Sequence, residues 1–337
     1  MPHVFSKMTL STAFLSVMLT TAAAPADKDK IADPGVKSAQ GTLWTDPADI
    51  QTRNLFYGPG GKEHQPGTQF SFVDEDMDGT NPKYNVKDSG GVKWKIKLGA
   101  EAGPETAATR LVWAVGYFVN EDYFVPDLHV TDLPGHLHRG GNLIGQDGEM
   151  RNARLKRHLK GEEKVGIWSW RDDPFARSRE WNGLRVMMAL INNWDLKDDN
   201  NEIYEDGPER VYLVKDLGAS FGTTGYNPRQ ATSKGNLNNY QHSHFITKTT
   251  NEYVDFAVPS RPAIFVVFNP KEFFPRMKMR WIGKRVPRSD ARWMGQMLAK
   301  LSPSQIRDAF RAAGYSAEDA DRFARVVEQR IGELTAL

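Results

Sequence analysis

Strict alternation of apolar and polar residues early in the chain predicts a half-buried β-strand. Residues 92–98 alternate between lysines and large apolar side chains, and successive side chains of a strand point to opposite faces of its sheet. Two apolar runs precede it, at residues 70–73 and 84–86, so the three segments predict an antiparallel meander. The face away from the apolar side chains then carries three lysines: Lys93, Lys95 and Lys97.

Apolar positions recur at helical spacing in four later segments. Residues 104–115 begin with an acid in the first turn and carry apolar residues three and four positions apart, which is typical of a half-buried helix. Residues 179–193 show the same spacing, and Ser302 and Ser316 have the positions of N-caps of two closing helices. One helix is therefore expected beside the meander and three further along the chain.

A predicted β-hairpin separates two polar positions in the middle of the chain. Its strands are residues 201–204 and 211–214, which contain the β-branched and aromatic residues that favour strands. The helix 179–193 leads through a polar loop, residues 194–201, into this hairpin, and the hairpin leads into Asp216. Further short strands are predicted at residues 117–119, 123–125, 167–170, 254–256 and 264–268.

The first residues have the pattern of a secretory signal peptide. A start that carries Lys7 is followed by an apolar run at residues 13–19 and a small-residue exit at residues 22–26. We therefore expect residues 1–26 to be a leader and the protein to be periplasmic or secreted; if translation starts at a later Met, the expectation is cytoplasmic. No later stretch approaches about 18 apolar residues, so no transmembrane segment is expected after the leader.

The pattern also predicts how the rest of the chain is divided. Residues 27–66 are polar and rich in Gly and Pro, which is typical of a flexible arm. Residues 67–126 are predicted to form a small sheet lobe and residues 127–300 a larger lobe with the polar loop. Residues 301–337 form the closing pair of helices.

Composition narrows the classes of partner and chemistry. Lys plus Arg number 44 and Asp plus Glu 42, so nothing in the charge balance indicates a nucleic-acid groove or a polybasic membrane patch. The chain has no cysteine, which excludes disulfides, thiolate-bound zinc and a thiol nucleophile. A metal ion would have to be held by oxygen or imidazole.

The polar positions around the hairpin are the main candidates for chemistry. Asp195, Asn200 and Asp216 offer the hard oxygen ligands that Mg²⁺ prefers. The competing interpretation is a polar turn in which Asp and Asn side chains cap their own backbone. Lysines on one strand face, considered alone, are most often solvated.

The order of these segments resembles the protein-kinase-like fold. A lysine strand, a helix with an early Glu, a long apolar helix, an Asp loop with Asn five positions later and Asp-Leu-Gly follow one another over about residues 68–222. The resemblance is greatest to the HipA-type, phosphatidylinositol-kinase-type and secreted CotH-type kinases. It implies a two-lobed α+β fold, with an antiparallel-sheet lobe carrying one helix and a mainly helical second lobe.

The resemblance also implies a nucleotide site on the lysine strand. Lys97 would bind the α- and β-phosphates of ATP, and Glu105 on the first helix would be its partner. Lys95 is the alternative for the lysine and Glu101 the alternative for the acid, because the interval between the pair is short.

The catalytic and metal-binding roles fall, by the same resemblance, on the polar positions around the hairpin. Asp195 would orient the nucleophile, while Asn200 and Asp216 would bind Mg²⁺. The implied function is Mg-ATP-dependent phosphotransfer to an unknown protein or small-molecule hydroxyl.

Two other functions remain open from the sequence. A non-catalytic exported binding protein, either a pseudokinase or a carbohydrate or peptide binder, would suit the nine tryptophans. A glycoside hydrolase would need paired carboxylates, for which Asp195 and Asp216 are the candidates.

Two short motifs have structural interpretations. His136 and His138 lack an obvious third metal ligand, so a hairpin loop is expected. Residues 74–79 match the start of a calcium loop, but Asn85 stands where a bidentate Glu is required.

Overall fold

A computed structural model of the chain describes residues 41–78, 81–159, 161–206, 209–223, 233–258 and 277–337. The expected leader, residues 1–26, and the predicted strand 264–268 lie outside the described residues. None of the helices in the described part is long and apolar enough to cross a membrane.

The described part combines strands and helices and ends in three consecutive helices. The strands are β1 Gly41–Thr42, β2 Gln69–Asp76, β3 Lys83–Asp88, β4 Lys93–Lys97, β5 Asp122–Thr131, β6 Glu149–Arg157, β7 Glu162–Gly166, β8 Asn201–Asp206, β9 Glu209–Val214, β10 Ile246–Thr249, β11 Tyr253–Phe256 and β12 Val286–Pro287. The α-helices are α1 Ala102–Ala114, α2 Arg179–Leu190, α3 Leu237–Gln241, α4 Arg288–Leu298, α5 Pro303–Arg311 and α6 Ala317–Thr335.

Five strands close into a barrel in the order β2-β3-β4-β6-β5. The predicted meander supplies β2, β3 and β4, and all pairs are antiparallel except the closing pair β2 and β5, which is parallel. The alternating apolar residues fill the barrel interior, where Trp94 and Ile96 are buried with Tyr84, Val86 and Leu155. The lysines of β4 therefore lie on the outer face, as the alternation predicts.

Helix α1 packs beside the barrel, and the remaining helices build the second part of the molecule. Ser178 caps α2 by accepting a hydrogen bond from the backbone N–H of Trp181, and Ser302 and Gln305 form a capping box at α5. The predicted two-lobed α+β arrangement is confirmed in this order of elements. The second lobe is less helical than expected, because it also holds the sheet β1-β9-β8-β7 and the sheet β10-β11-β12.

The C-terminal helix fixes the end of α2, from which the polar loop departs. The guanidinium of Arg330 is buried and donates to the carbonyl of Leu190 at 2.8 Å, and the hydroxyl of Tyr240 donates to the same carbonyl at 2.7 Å. Orphan carbonyls at a helix C-terminus need such donors. The start of the polar loop is thereby held rigidly against the core.

The described part of the segment expected to be a flexible arm is packed instead. Leu43, Ile50 and Leu55 are buried in the main hydrophobic core. Gln305 donates to the carbonyl of Ile50 at 3.0 Å and to that of Arg53 at 2.9 Å. Scattered apolar residues between Gly and Pro turns were enough to anchor these residues, although they show no regular period.

Several predicted boundaries shift in the structure. The barrel takes its fifth strand from residues 149–157, which lie beyond the limit predicted for the sheet lobe, residue 126. In the segment 117–119, Tyr117 and Phe118 form isolated bridges rather than a strand, and the strand expected at 167–170 lies earlier, at 162–166. Helix α4 was not predicted from the sequence.

A buried carboxyl in front of α2 makes stability depend on pH. Asp173 accepts a hydrogen bond from the backbone N–H of Phe175 at 2.6 Å, whereas its Oδ2 is buried without a partner in the described part of the chain. Burial raises the pKa of Asp173 to about 7. Since this pKa lies above the unfolded value, its contribution to stability is full below about pH 4 and is lost as pH rises towards 7.

We expect Asp173→Asn to remove this loss, because the amide has no charge to bury. At pH 8 the variant should be more stable than the parent by roughly 1–3 kcal/mol, because the buried charge is removed while the amide still leaves one buried polar atom without a partner. Urea unfolding from pH 5 to pH 8 measures the difference. Asp172→Asn, at the exposed neighbouring position, is the control; a parallel pH dependence in parent and Asp173→Asn would contradict the assignment.

Candidate active site

Lys97 lies at the centre of a cluster of three carboxylates. Its side chain is only 1% exposed, and its ammonium lies 2.5 Å from Glu101 Oε2 and 2.9 Å from Glu105 Oε2. The third carboxylate, from Asp216, forms an ion pair with the same ammonium. Burial opposes the charge of Lys97, but Glu105, Asp216 and Glu101 outweigh it and hold its pKa above the usual range.

The start of α1 presents both glutamates to Lys97. Gly99, with a φ of +97°, turns the chain after β4 in a conformation that suits glycine. Glu101 is the N-cap residue of α1 and Glu105 lies in its first turn, and residues four apart lie on the same face of a helix. Negative charge is also favourable near a helix N-terminus.

Glu105 is fully buried between two cations. One of its oxygens contacts Lys97, and the other accepts a hydrogen bond from Arg154 of β6 at 2.7 Å. Arg154 also lies 3.4 Å from the buried carboxylate of Asp122. Burial raises the pKa of Asp122 to about 6, although the attraction of Arg154 acts to lower it. These contacts hold the side chain of Glu105 in place, and both of its carboxylate oxygens already have a partner within the protein.

Asp216 reaches the cluster from the opposite lobe. It follows β9 with a φ of +57°. This left-handed conformation is uncommon for residues other than glycine, and such residues cluster at functional sites. Although burial acts to raise its pKa, the contact with Lys97, helped by Lys83 and Arg154, lowers the pKa well below its usual range. Asp216 is thus a carboxylate at neutral pH, with 34% of its side chain exposed.

The hairpin β8–β9 brings Asn200 to the same edge as Asp216. The backbone N–H of Lys215 donates to the carbonyl of Asn200 at 2.8 Å, which continues the hairpin pairing. The side-chain amide of Asn200 in turn donates to the carbonyl of Asp195 at 2.8 Å. The structure therefore links the three sequence candidates Asp195, Asn200 and Asp216 through adjacent backbone.

A second set of backbone bonds fixes the polar loop against the chain after Asp216. The N–H of Trp194 donates to Ala219 at 3.2 Å, and the N–H of Phe221 donates to Ile191 at 2.8 Å. Asp195 is 16% exposed, and the ammonium of Lys197 lies 3.7 Å from its carboxylate. A carboxylate held in this way could orient a hydroxyl group.

The two lysines proposed as alternatives have different surroundings. Lys95 shares its face with Lys97 but is 41% exposed, and it pairs with Asp76 at 2.6 Å. It does not contact Glu101, Glu105 or Asp216 in the described part of the chain. Lys97 is therefore the lysine that the structure joins to the candidate acids.

Three cations of this region were not identified from the sequence. Arg154 lies on a strand that was not predicted, and Lys197 has no pattern that distinguishes it from a solvated lysine. Lys234 forms an ion pair with Glu101, across more than a hundred residues of sequence. Sequence spacing carries no signal for that contact.

Mg²⁺ fits one part of the cluster. Glu101, Glu105 and Asp216 each place an oxygen within 4.8 Å of the others, but the ammonium of Lys97 lies among them. Of the three, Asp216 is the most exposed. Asp216 and Asn200, whose carbonyl accepts a hydrogen bond from the residue before Asp216, are the residues with the carboxylate and amide oxygens that suit Mg²⁺.

The other motifs of the sequence have structural explanations. Asp74 and Asp76 lie within strand β2 rather than in a calcium loop. His136 and His138 lie in an irregular loop with their rings 5.8 Å apart. His138 contacts Glu75 at 3.2 Å, as the hairpin-loop expectation allows.

Comparisons with known proteins give similarities in structure only. No family model and no curated protein matches the chain. The Helicobacter pylori proinflammatory kinase CtkA is 10% identical, with a TM-score of 0.43, covering 80% of this chain and 97% of its own. A Golgi casein kinase is 10% identical, with a TM-score of 0.32, covering 85% of this chain and 78% of its own.

Proposed function

We propose that the protein is a Mg²⁺-dependent phosphotransferase that moves the terminal phosphoryl group of ATP to a hydroxyl group of a protein or small molecule. The observation that carries the proposal is the contact of one buried lysine with acids from both lobes. Lys97 meets Glu105 of the barrel-side helix and Asp216 of the opposite lobe. A phosphate-binding lysine positioned by an acid, beside a metal-binding acid, is the arrangement that phosphoryl transfer needs.

In this proposal the two sides of the site have different tasks. Glu105, held by Arg154, keeps Lys97 extended so that its ammonium can bind phosphate oxygens. Asp195 orients the acceptor hydroxyl and takes its proton as the oxygen attacks phosphorus and the bond to the ADP oxygen breaks. Lys197, close to Asp195, offsets negative charge where the phosphoryl group passes.

Asp216 and Asn200 are the residues proposed to hold Mg²⁺. The ion would neutralise part of the phosphate charge and orient the terminal phosphate. The lowered pKa of Asp216 keeps its carboxylate ionised throughout the physiological range. Asn200 adds an oxygen ligand without further negative charge near the phosphates.

A thermal-shift experiment tests this assignment without knowledge of the acceptor. We expect Mg²⁺ and a non-hydrolysable ATP analogue together to raise the melting temperature by roughly 5 °C at a hundredfold excess over Kd, and either alone to have little effect. Asp216→Asn should abolish the shift. Asp127→Asn, an exposed change on the barrel, should retain it.

The opposite result separates the proposal from its alternatives. A parent protein that Mg-nucleotide does not stabilise, or an Asp216→Asn variant that responds like the parent, would contradict the metal assignment. Stabilisation by a carbohydrate or a peptide instead would support the non-catalytic binding protein.

A further inference from the structure

Three cations lie directly opposite one another across neighbouring strands of the barrel. Lys83 of β3 pairs with Lys97 of β4, and Lys97 pairs with Arg154 of β6. Directly opposite residues of antiparallel strands point to the same face, and like charges in such pairs are destabilising. The outer face of the barrel therefore carries a row of positive charges that needs compensation.

Two of the three cations are compensated by one acid. Glu105 gives one oxygen to Lys97 at 2.9 Å and the other to Arg154 at 2.7 Å. Lys83 stands at the other end of the row. It has no ion pair within the described part of the chain.

The acids nearest to Lys83 are already engaged. Asp76 lies opposite Lys83 on β2, but its carboxylate is 2.6 Å from the ammonium of Lys95. Asp216 attracts Lys83 electrostatically while its carboxylate pairs with Lys97. Lys83 is half-buried, and burial lowers its pKa despite the attraction of Asp216. Because the nearest acids already pair with other lysines, the half-buried ammonium of Lys83 is available to bind an external anion.

We propose that Lys83 binds a phosphate group of the nucleotide as a second cation beside Lys97. The inference rests on the proposed function, since it assigns a further binding residue to the same site. Polyphosphate carries several adjacent negative charges, which one lysine and one Mg²⁺ only partly neutralise. Lys83 and Asp216 are both partly exposed and interact electrostatically, which supports their contact with the same ligand.

The test compares two lysines on one strand. Lys87 lies four residues from Lys83 on the same face of β3, is exposed and faces Lys93 rather than the carboxylate cluster. We expect Lys83→Met to raise the Kd of a non-hydrolysable ATP analogue about tenfold. Lys87→Met should change it less than about twofold, and Lys83→Arg should retain most of the affinity.

Nucleotide binding is measured at saturating Mg²⁺, so that a change in Mg²⁺ affinity does not affect the measured Kd. Loss of the Lys83 charge would strengthen binding of Mg²⁺ at Asp216, an effect opposite in sign to the expected loss of nucleotide affinity. The unfolding free energy of each variant is measured without ligand. Because burial and the repulsion by Lys97 together outweigh the attraction of Asp216 for the Lys83 charge, the stability of Lys83→Met should not fall. Weak binding then reports the lost phosphate contact.

The contrary outcomes are distinct. Parent-like affinity in Lys83→Met overturns this inference and leaves the phosphotransferase proposal standing. Equal weakening by Lys87→Met also overturns it, because general surface charge would then explain the effect. A parent that binds no Mg-nucleotide overturns both proposals.

Discussion

Lys97→Met is expected to lower the free energy of unfolding by about 3–5 kcal/mol, the usual cost of breaking a buried ion pair from one side. The change leaves Glu101, Glu105 and Asp216 with oxygens within 4.8 Å of one another and without the ammonium between them. Binding of Mg-nucleotide should also be lost, since the cation proposed to bind the phosphates is gone. Urea unfolding and thermal shift with the ATP analogue measure the two effects.

Lys95→Met is the matched control for this prediction. It removes the same charge two residues earlier on the same strand face, where the lysine is 41% exposed and pairs with Asp76. An ion pair whose lysine is open to solvent is expected to contribute about 1 kcal/mol or less. If Lys95→Met proved the more damaging change, the assignment of the phosphate lysine would be wrong.

The pH dependence of Lys97→Met provides a second check. Without the ammonium, three neighbouring carboxylates repel one another, so their folded-state pKa values should rise above the unfolded values. A carboxyl group whose pKa is higher in the folded than in the unfolded state destabilises the fold at high pH, and it does so less at low pH. The deficit relative to the parent should therefore shrink as pH is lowered from 7 towards 5.

Asp195→Asn is expected to reduce turnover by about 100-fold to 10,000-fold, the range for loss of a general base. Affinity for Mg-nucleotide should stay close to that of the parent, because Asp195 lies outside the cluster around Lys97. ADP release from Mg-ATP, with water as the acceptor, measures turnover. The ATP analogue in a thermal shift measures binding.

Asp199→Asn is the control for Asp195, since it removes a carboxylate from the same loop at an exposed position. Its turnover should match the parent. Equal activity of parent and Asp195→Asn would show that the loop acid has no part in the reaction. A joint loss of binding and turnover would instead indicate a role for Asp195 in holding the loop.

Periodicity was sufficient to predict the elements that carry the cluster. The alternation in β4 determines that its lysines lie outside the barrel, and helical spacing locates α1 and α2 close to their observed bounds. The N-caps Ser302 and Ser316 are predictable because each accepts a hydrogen bond from a backbone N–H only three residues further along the chain.

The choice between Lys95 and Lys97 could not come from the sequence, because both residues lie on the same face of one strand. It depends on where α1 starts, at Ala102 rather than at residue 104. That start brings Glu101 and Glu105 together over Lys97. Tertiary packing decides such a shift of half a turn, and boundaries are the least certain part of sequence-based prediction.

Closure of the barrel was also beyond the sequence pattern. In β6 the buried residues Met150 and Ala153 are three positions apart, and Asn152 between them has a φ of +52°. The period of two that identifies a strand is therefore interrupted. The closing parallel pair of β2 and β5 joins residues about sixty positions apart, such as Gln69 and His129, and local propensity does not encode such a pair.

The pairing register of the hairpin β8–β9 determines where Asn200 and Asp216 stand relative to each other. Asn200 and Asp216 stand at the end of the pairing where Asn201 faces Val214. A slip of one residue in the pairing would turn every side chain of a strand to the other face and separate Asn200 from Asp216, the two proposed metal ligands, without altering either residue.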